Sequence, residues 1–315
     1  MNGSRTPLDW VLFSTLSLLW ASAYGFTRMA VSKDVPEVGF PAYVIIPARV
    51  TIGAIILLTV TQFSNQKWPP LSDWRKYATM AVLGVIGTAL PFFVITRAQE
   101  TVDSSLAALY VAAAPLFVAV LAHFVFDDDK ITPTKGVGLI IGFAGVALLF
   151  GRDAIAAFGS ASVIAQILLL FGTSFYAVAT ITARYGRDIP PLIFASGFVS
   201  IAAFVSWPML LFTDLSALTP SKEAIIGIVG LGIAPTAAAS ILYMILIART
   251  SATFLSLTGY TIPVISIIVG YIAFGEVRHW SAFAAFALIL SGVWLAQRGG
   301  KADDAVKAET HPQSP

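Results

Sequence analysis

Arg49 is the one charged residue that the sequence places well inside an apolar helix. Counted from Phe40 at about 1.5 Å per residue, it lies about 13 Å into that helix, near the centre of a hydrocarbon layer about 30 Å thick. A charge at this depth costs at least about 2.5 kcal/mol on insertion scales, so a compensating group is expected. Either the guanidinium binds the carboxylate of a ligand in a cavity, or it is structural, capping carbonyls freed around Pro47 or reaching the interface.

Acidic residues are absent from the centres of the predicted helices. All seventeen Asp and Glu fall in loops, in tails or in the first turn or so of a helix. A carboxylate held inside a membrane is the usual binding group for a coupling proton or an organic cation. The pattern therefore disfavours a cation site built around a buried Glu.

Aromatic and hydroxyl side chains recur at mid-helix positions. A Tyr hydroxyl in hydrocarbon needs a polar partner, so such rings favour a protein interior or a cavity over lipid. For each ring taken singly, ordinary helix packing is the alternative. The predicted lining residues are Trp20, Ser22, Tyr24, Tyr110, Thr173, Phe175, Tyr176, Tyr243, Thr258 and Tyr260.

Prolines inside helices are candidate bend points, because each removes a backbone hydrogen bond and clashes with the preceding turn. Pro91, Pro115, Pro235 and Pro263 are predicted to act as hinges, with static kinks as the alternative. Pro115 and Pro263 each lie about eleven residues past the predicted helix start, near the membrane centre.

The composition predicts an all-α integral membrane protein. Of the 315 residues 57% are hydrophobic and 11% charged, with a mean hydropathy of +0.83, against roughly 45–50% and about 25% in soluble domains. The long uncharged runs must therefore face lipid. Ten transmembrane helices are predicted near Asp9 to Ala30, Phe40 to Gln62, Arg75 to Arg97, Ser104 to Phe126, Pro133 to Phe150, Ser160 to Ala183, Pro190 to Phe212, Lys222 to Ile247, Ala252 to Phe274 and Trp280 to Gln297.

Several functional classes lack their sequence signatures. The net charge of +2 comes from scattered Lys and Arg without a basic stripe, which argues against nucleic acid as a partner. There are no cysteines, no metal-spaced histidine pair and no serine-nucleophile elbow, so we expect neither a metal, a cofactor nor an enzyme. Without a phosphate-binding loop, the chain cannot itself hydrolyse ATP.

Two halves of the chain resemble each other. Leu18 to Ser22 matches Leu169 to Thr173, Pro91 is paired with Pro235, Pro115 with Pro263, and Gly145-Val146 with Gly292-Val293. We predict five-helix units at residues 1–150 and 151–298, and a disordered polar tail at 299–315. Because each unit has an odd number of helices, the second must be inverted relative to the first.

Positive charges predict the orientation in the membrane. With Arg49 set aside, twelve Lys and Arg lie on the side that holds both termini and six on the other. Since such residues in short loops resist translocation, both termini are predicted to be cytoplasmic. A multi-pass protein of a plasma membrane, the inner membrane in a bacterium, is expected.

In its second half the sequence resembles the drug/metabolite transporter superfamily, specifically its EamA-type members. Ser251-Ala252, Pro263, Phe274-Gly275-Glu276 and Ser291-Gly292-Val293 carry this resemblance, whereas Asp127 to Lys130 departs from the Gly-Glu pair expected in the first half. The similarity spans about Asp9 to Gln297 and is strongest to the amino-acid exporter branch. It implies a ten-helix exporter with a central cavity.

We therefore expect a monomeric secondary transporter, in contact with membrane lipid, that exports small zwitterionic metabolites by alternating access. Amino acids, aromatic and hydrophobic ones included, are the predicted substrates. The alternatives are export of purines, nucleotide-related metabolites or drugs, and, in another class, an intramembrane enzyme or a membrane assembly factor. Arg49 is predicted to hold the carboxylate.

Overall fold

The computed structural model describes residues 6–32, 35–126, 130–150, 160–249 and 258–310, and over these ranges the chain forms helices and connections without strands. Four features named from the sequence lie outside the described residues. They are the aspartates 127–129, the domain boundary at residue 151, the Ser251-Ala252 pair with the predicted start of the ninth helix, and residues 311–315.

Thirteen α-helices are numbered in chain order over the described ranges. They are α1 (Pro7–Val31), α2 (Ala42–Gln62), α3 (Trp74–Gly84), α4 (Leu90–Gln99), α5 (Ser104–Val111), α6 (Ala114–Val125), α7 (Pro133–Phe150), α8 (Ala161–Tyr185), α9 (Pro191–Ser206), α10 (Lys222–Leu231), α11 (Ala239–Arg249), α12 (Thr258–Phe274) and α13 (Trp280–Thr310). A 3₁₀ segment, Trp207–Phe212, extends α9.

Side-chain caps explain several of the helix starts. Thr6 precedes α1, where its Oγ1 accepts a hydrogen bond from the backbone N–H of Asp9, and the Asp9 carboxylate accepts one from the Thr6 N–H. Ser160 and Ser221 cap α8 and α10 in the same way. These contacts satisfy N–H groups that have no partner within their own helix.

Seven helical segments in the described part are long and apolar enough to cross a membrane. Two more, Pro133–Leu149 and Thr258–Phe274, are apolar but shorter. The seven are Ala42–Gln62, Trp74–Gln99, Ser104–Val125, Ala161–Tyr185, Pro191–Phe212, Lys222–Tyr243 and Trp280–Gln297. The prediction of a helical membrane protein is confirmed at this level.

Two of these segments contain π-helical turns. Val85–Ala89 joins α3 to α4, and Gly232–Ala238 joins α10 to α11. In each turn a threonine hydroxyl donates to the carbonyl oxygen five residues earlier. The bond from Thr88 to Leu83 is 3.0 Å long and that from Thr236 to Leu231 is 2.8 Å.

The helices α1–α7 and α8–α13 pack against each other over most of their length. In this arrangement α2 lies on α9, α1 on α10 and α12, and α8 on α4 and α6. The tightest contact joins α7 to α13, where a Cβ at Gly138 would lie 2.6 Å from the backbone of Gly292. Only glycines permit such close approach of two helix backbones.

The predicted hinge prolines occupy different local structures. Pro91 is the second residue of α4, directly after a π turn, whereas Pro235 lies inside the other π turn. The two prolines therefore do not hold equivalent positions. The matching pair in these turns is Thr88 and Thr236.

The predicted fourth helix is interrupted, because α5 ends at Val111 and α6 begins at Ala114. Pro115 has no N–H to bond to the carbonyl of Val111, and the chain breaks just before it. Pro263 lies within the continuous helix α12. At the carboxyl end, α13 continues to Thr310, where the polar composition had predicted a disordered tail from residue 299.

Candidate binding site

Arg49 on α2 is 6% exposed and lies between the amino-terminal and carboxyl-terminal helices. Its Nε donates a hydrogen bond of 2.9 Å to Thr236 Oγ1 in the second π turn. The guanidinium carbon lies 3.7 Å from the centre of the Phe92 ring, a cation–π distance. Two contacts from two different helical segments therefore fix the plane of the guanidinium group.

The terminal nitrogens of Arg49, Nη1 and Nη2, have no hydrogen-bond partner within the described residues. No described carboxylate forms an ion pair with the side chain; the groups that interact with its charge are the phenols of Tyr24 and Tyr176. A buried guanidinium group with only one of its three nitrogens hydrogen-bonded has further N–H donors that need an acceptor. The arrangement can bind an anion through the remaining donors, and a carboxylate matches their fork geometry.

Tyr24 and Tyr176 are the two predicted aromatic residues whose phenols interact electrostatically with the Arg49 charge. Tyr24 comes from α1 and Tyr176 from α8, and both are half-buried beside the same apolar cluster. The site thus draws on α1, α2 and α4 from one set of helices and on α8 and the second π turn from the other.

The remaining predicted aromatics have other partners. Trp20 packs on Tyr243 with ring centres 5.6 Å apart. Tyr110 donates to Gln166 Oε1 at 2.7 Å, and Tyr260 to Gln297 Oε1 at 3.1 Å. Phe175 contacts the exposed ring of Phe171 at 4.8 Å. The Trp20, Tyr110 and Tyr260 contacts join two helices, whereas the Phe171–Phe175 contact lies within α8.

The predicted hydroxyl groups largely bond to their own helices. Ser22 donates to the Leu19 carbonyl at 2.7 Å, and Thr173 donates to the Leu169 carbonyl at 2.6 Å. Thr258 is buried at the start of α12, and its backbone carbonyl accepts from Thr261. The donor capacity of Ser22 and Thr173 is therefore used within the helix.

The sequence analysis missed Thr236 and Phe92, the two direct partners of Arg49. A signal for Thr236 exists, because Leu-Gly-x-x-x-Thr-Ala occurs at residues 83–89 and again at 231–237. Phe92 follows Pro91 in a run of apolar residues and has no such signal.

A second polar cluster lies at the carboxyl end of α1. Arg28 Nη1 donates to Asp103 Oδ1 at 3.2 Å and to Glu276 Oε1 at 3.1 Å, and Arg278 pairs with the same aspartate. The Glu276 carboxylate also accepts the backbone N–H groups of Ser104 and Ser105, at 3.0 and 2.9 Å. The cluster therefore ties α1, the start of α5 and the loop after α12 together.

Glu276 is ionised in this environment. Burial raises the pKa of its carboxyl group, but the hydrogen bonds from Ser105 and Ser104 outweigh burial, and the net shift is below the ordinary value. The carboxylate also acts as the amino-terminal cap of α5, where anions are favoured by the helix dipole.

The amino end of α1 is also ion-paired to a residue of the carboxyl-terminal helices. Arg249, the last residue of α11, donates from Nε to Asp9 Oδ1 at 2.9 Å. Both ends of α1 are thus ion-paired to residues of the carboxyl-terminal helices, Arg249 at one end and Glu276 at the other.

Two cavities lie away from Arg49. One of about 410 Å³ is lined by residues near the start of α3, with Tyr185 and Asp188. The other, of about 540 Å³, lies among α7, α12 and α13 and includes Tyr260 and the exposed Trp294. In the described ranges no group of three His, Asp or Glu side chains could hold a metal ion.

Comparison with known sequences identifies one family. The sequence model of the EamA-like transporter family matches residues 10–151 and residues 163–297. An uncharacterized transporter of Bacillus subtilis, YdfC, is 26% identical over 282 residues, covering 87% of this chain and 86% of that protein. A probable terminal-alkyne amino-acid exporter of Streptantibioticus cattleyicolor is 24% identical over 291 residues, covering 92% and 93%.

A solved crystal structure shares the fold. It superimposes with a TM-score of 0.65 at 20% sequence identity, over 95% of this chain and all of the other.

Proposed function

The chain belongs to the EamA-like transporter family, and we propose that it is a secondary transporter that exports small zwitterionic metabolites, with amino acids as the substrate class. The observation that carries this proposal is the buried Arg49, whose Nη1 and Nη2 have no hydrogen-bond partner in the described residues. A substrate carboxylate supplies both the missing charge and the missing acceptors.

The groups around Arg49 suit the rest of an amino acid. The rings and hydroxyl oxygens of Tyr24 and Tyr176 are proposed to bind the ammonium group of the substrate. This binding requires no carboxylate inside the membrane. Trp20 and Tyr243, whose rings pack on each other at a tilt with centres 5.6 Å apart, are proposed to contact the substrate side chain. The relative named a probable terminal-alkyne amino-acid exporter supports this substrate class, at 24% identity.

We propose ten membrane crossings in two inverted five-helix repeats, with alternating access along their interface. Support comes from the two ranges matched by one family model, 10–151 and 163–297. It also comes from the packing, since exchanging the two sets of helices turns the contact of α1 with the α10–α11 segment into that of α8 with the α3–α4 segment, and the α1–α12 contact into the contact of α8 with α5 and α6. The same exchange brings the π turn Val85–Ala89 to the place of the π turn Gly232–Ala238.

The cellular placement follows from charge and composition. The twelve-to-six distribution of Lys and Arg supports cytoplasmic termini in a plasma membrane. Because both repeats are in one chain, a monomer contains a complete pathway. Pro91, Pro115, Pro235 and Pro263 remain the proposed bend points, with the Glu276 cluster closing the outer end and the Asp9–Arg249 pair the inner end.

A counterflow assay with the purified protein in liposomes tests the proposal. Vesicles preloaded with one unlabelled amino acid should accumulate the same labelled amino acid, and a panel of amino acids and nucleobases is compared by competition. Competition by amino acids at concentrations where nucleobases have no effect supports the proposal. Competition by nucleobases alone would instead assign the site to purines, for which stacking on Tyr24 and Tyr176 is equally suitable.

A further inference from the structure

We propose that Thr236 is a positioning residue that couples substrate bound at Arg49 to the shape of the π turn between α10 and α11. This inference rests on the proposed function, since it takes a substrate carboxylate as the ligand of Arg49. The juxtaposition that carries it is a chain of two hydrogen bonds, from Arg49 Nε to Thr236 Oγ1 and from Thr236 Oγ1 to the Leu231 carbonyl.

The hydroxyl of Thr236 has a defined role in both bonds. A hydroxyl has one hydrogen to donate, and Thr236 gives it to the Leu231 oxygen at 2.8 Å. Its lone pair accepts the Nε–H of Arg49 at 2.9 Å. Because the donor is a cation, each bond polarises the other and the chain acts as a unit.

The Leu231 carbonyl lacks its usual α-helical donor because of the covalent structure of proline. In an α-helix its partner would be the N–H four residues later, but that residue is Pro235, which has none. The turn takes π geometry here, and the Thr236 side chain bonds to the carbonyl that proline leaves without its usual donor. Single π turns within α-helices occur frequently at functional sites.

Substrate binding changes the first bond of the chain. A carboxylate on Nη1 and Nη2 binds best to a guanidinium group whose plane is held by the Nε–H bond to Thr236, so substrate binding strengthens that bond. The free energy of the π turn, which depends on Thr236, therefore differs between the substrate-bound and the substrate-free protein. By thermodynamic linkage, a change in the turn alters substrate affinity by the same factor.

The first π turn provides a matched control. Thr88 makes the same bond to the carbonyl five residues earlier, at 3.0 Å, but has no arginine partner among the described residues. Its carbonyl acceptor, Leu83, is followed four residues later by Gly87, which retains an N–H. Removing the Thr88 hydroxyl therefore perturbs a π turn without touching Arg49.

Valine is a suitable replacement for Thr236. The Thr236 methyl group packs against Gly53, where a Cβ would lie 2.5 Å from Thr236 Cγ2. Valine keeps that methyl and replaces only the hydroxyl, whereas serine keeps the hydroxyl and removes the methyl. The two variants separate hydrogen bonding from packing.

The first readout is amino-acid transport in liposomes. We expect Thr236→Val to raise the KM about tenfold or more, because a bond to a charged group is lost. Thr236→Ser should stay within about threefold of the parent, and Thr88→Val should leave the KM unchanged. Equal KM values for Thr236→Val and Thr88→Val would overturn the inference.

The second readout reports on the turn itself. The chain has no cysteine, so Ala238→Cys at the end of the π turn gives a single labelling site. Amino acid should change its rate of thiol labelling at least about twofold in the parent and in Thr88→Val, but not in Thr236→Val. A substrate effect that persists in Thr236→Val also overturns the inference. If the valine variant does not assemble, Thr236→Ala removes the same hydroxyl and is judged by the same outcomes.

The KM of Arg49→Lys distinguishes an error in this inference from an error in the proposed function. If Arg49→Lys raises the KM but Thr236→Val behaves like Thr88→Val, the carboxylate site stands and the coupling is wrong. If Arg49→Lys leaves the KM of every amino acid unchanged, the carboxylate site itself is wrong.

Discussion

Arg49 on α2 and Thr236 in the π turn after α10 are hydrogen-bonded at 2.9 Å, although 187 residues separate them in the chain. The bond joins the one deeply placed charge of the sequence to the interruption in a helix of the other half. It fixes one nitrogen of the guanidinium group and leaves the other two without a hydrogen-bond partner in the described residues. The proposed substrate chemistry and the proposed coupling both follow from this geometry.

Phe92 is expected to support substrate affinity through its ring. The guanidinium carbon lies 3.7 Å from the ring centre, so Phe92→Leu removes a cation–π contact of about 1–2 kcal/mol while keeping apolar volume. We predict a KM for amino acids about three- to tenfold higher, measured by initial uptake into liposomes. Phe93→Leu is the control, because that ring pairs with Tyr43 at 5.1 Å. Equal effects of the two substitutions would contradict the role of Phe92.

Glu276 is expected to stabilise the fold in a pH-dependent way. Glu276→Gln weakens the bonds to Arg28, Ser104 and Ser105, and we predict a loss of about 1.5–3 kcal/mol in the free energy of unfolding at pH 7. The melting temperature of each variant in detergent measures this loss of stability. Glu37→Gln, on an exposed 3₁₀ turn, is the control.

The sign of the pH dependence follows from the lowered pKa of Glu276. Its stabilisation is complete above the ordinary value of 4.5 and is lost as the pH falls through the lowered pKa of the folded protein. The difference in melting temperature between parent and Glu276→Gln should therefore shrink as the pH falls below 4.5. A difference that stays constant from pH 7 into this range would show that ionisation of Glu276 does not contribute.

The glycine contact between α7 and α13 is expected to be essential for assembly. A Cβ at Gly138 would lie 2.6 Å from two backbone atoms of α13, so Gly138→Val forces the helices apart. We predict loss of the monodisperse peak in size-exclusion chromatography. Gly136→Val, on the same helix, would place its Cβ 3.8 Å from Ile131 Cγ2 and should behave like the parent. Normal chromatographic behaviour of Gly138→Val would refute this interpretation.

The residues of the proposed site that could be predicted from the sequence are those with a local signal. Arg49 stands out because a charge interrupts an apolar run, and Tyr24 and Tyr176 because a phenol deep in a helix needs a partner. Trp20, Phe175 and Tyr260 carry the same signal, yet they pack on Tyr243, Phe171 and Gln297. Residue type alone does not distinguish a ring that faces the site from one that fills a helix contact.

The features that the sequence did not predict depend on non-local geometry or on backbone detail. Thr236 reaches Arg49 only because α2 packs against the second π turn. The break before Pro115 falls at Ala112 and Ala113, which are good helix formers, because proline removes the hydrogen bond one turn earlier. Repeated motifs such as Leu-Gly-x-x-x-Thr-Ala could have located the π turns had both halves been aligned on threonine.

Binding of a substrate carboxylate by Arg49 can be measured by counterflow with an amino acid and its decarboxylated amine. The protein should transport the amino acid at least about tenfold better than the amine, and Arg49→Ala should abolish that preference. Arg187→Ala, which removes a positive charge from an exposed turn, should retain it. An undiminished preference for the amino acid in correctly folded Arg49→Ala would contradict the account.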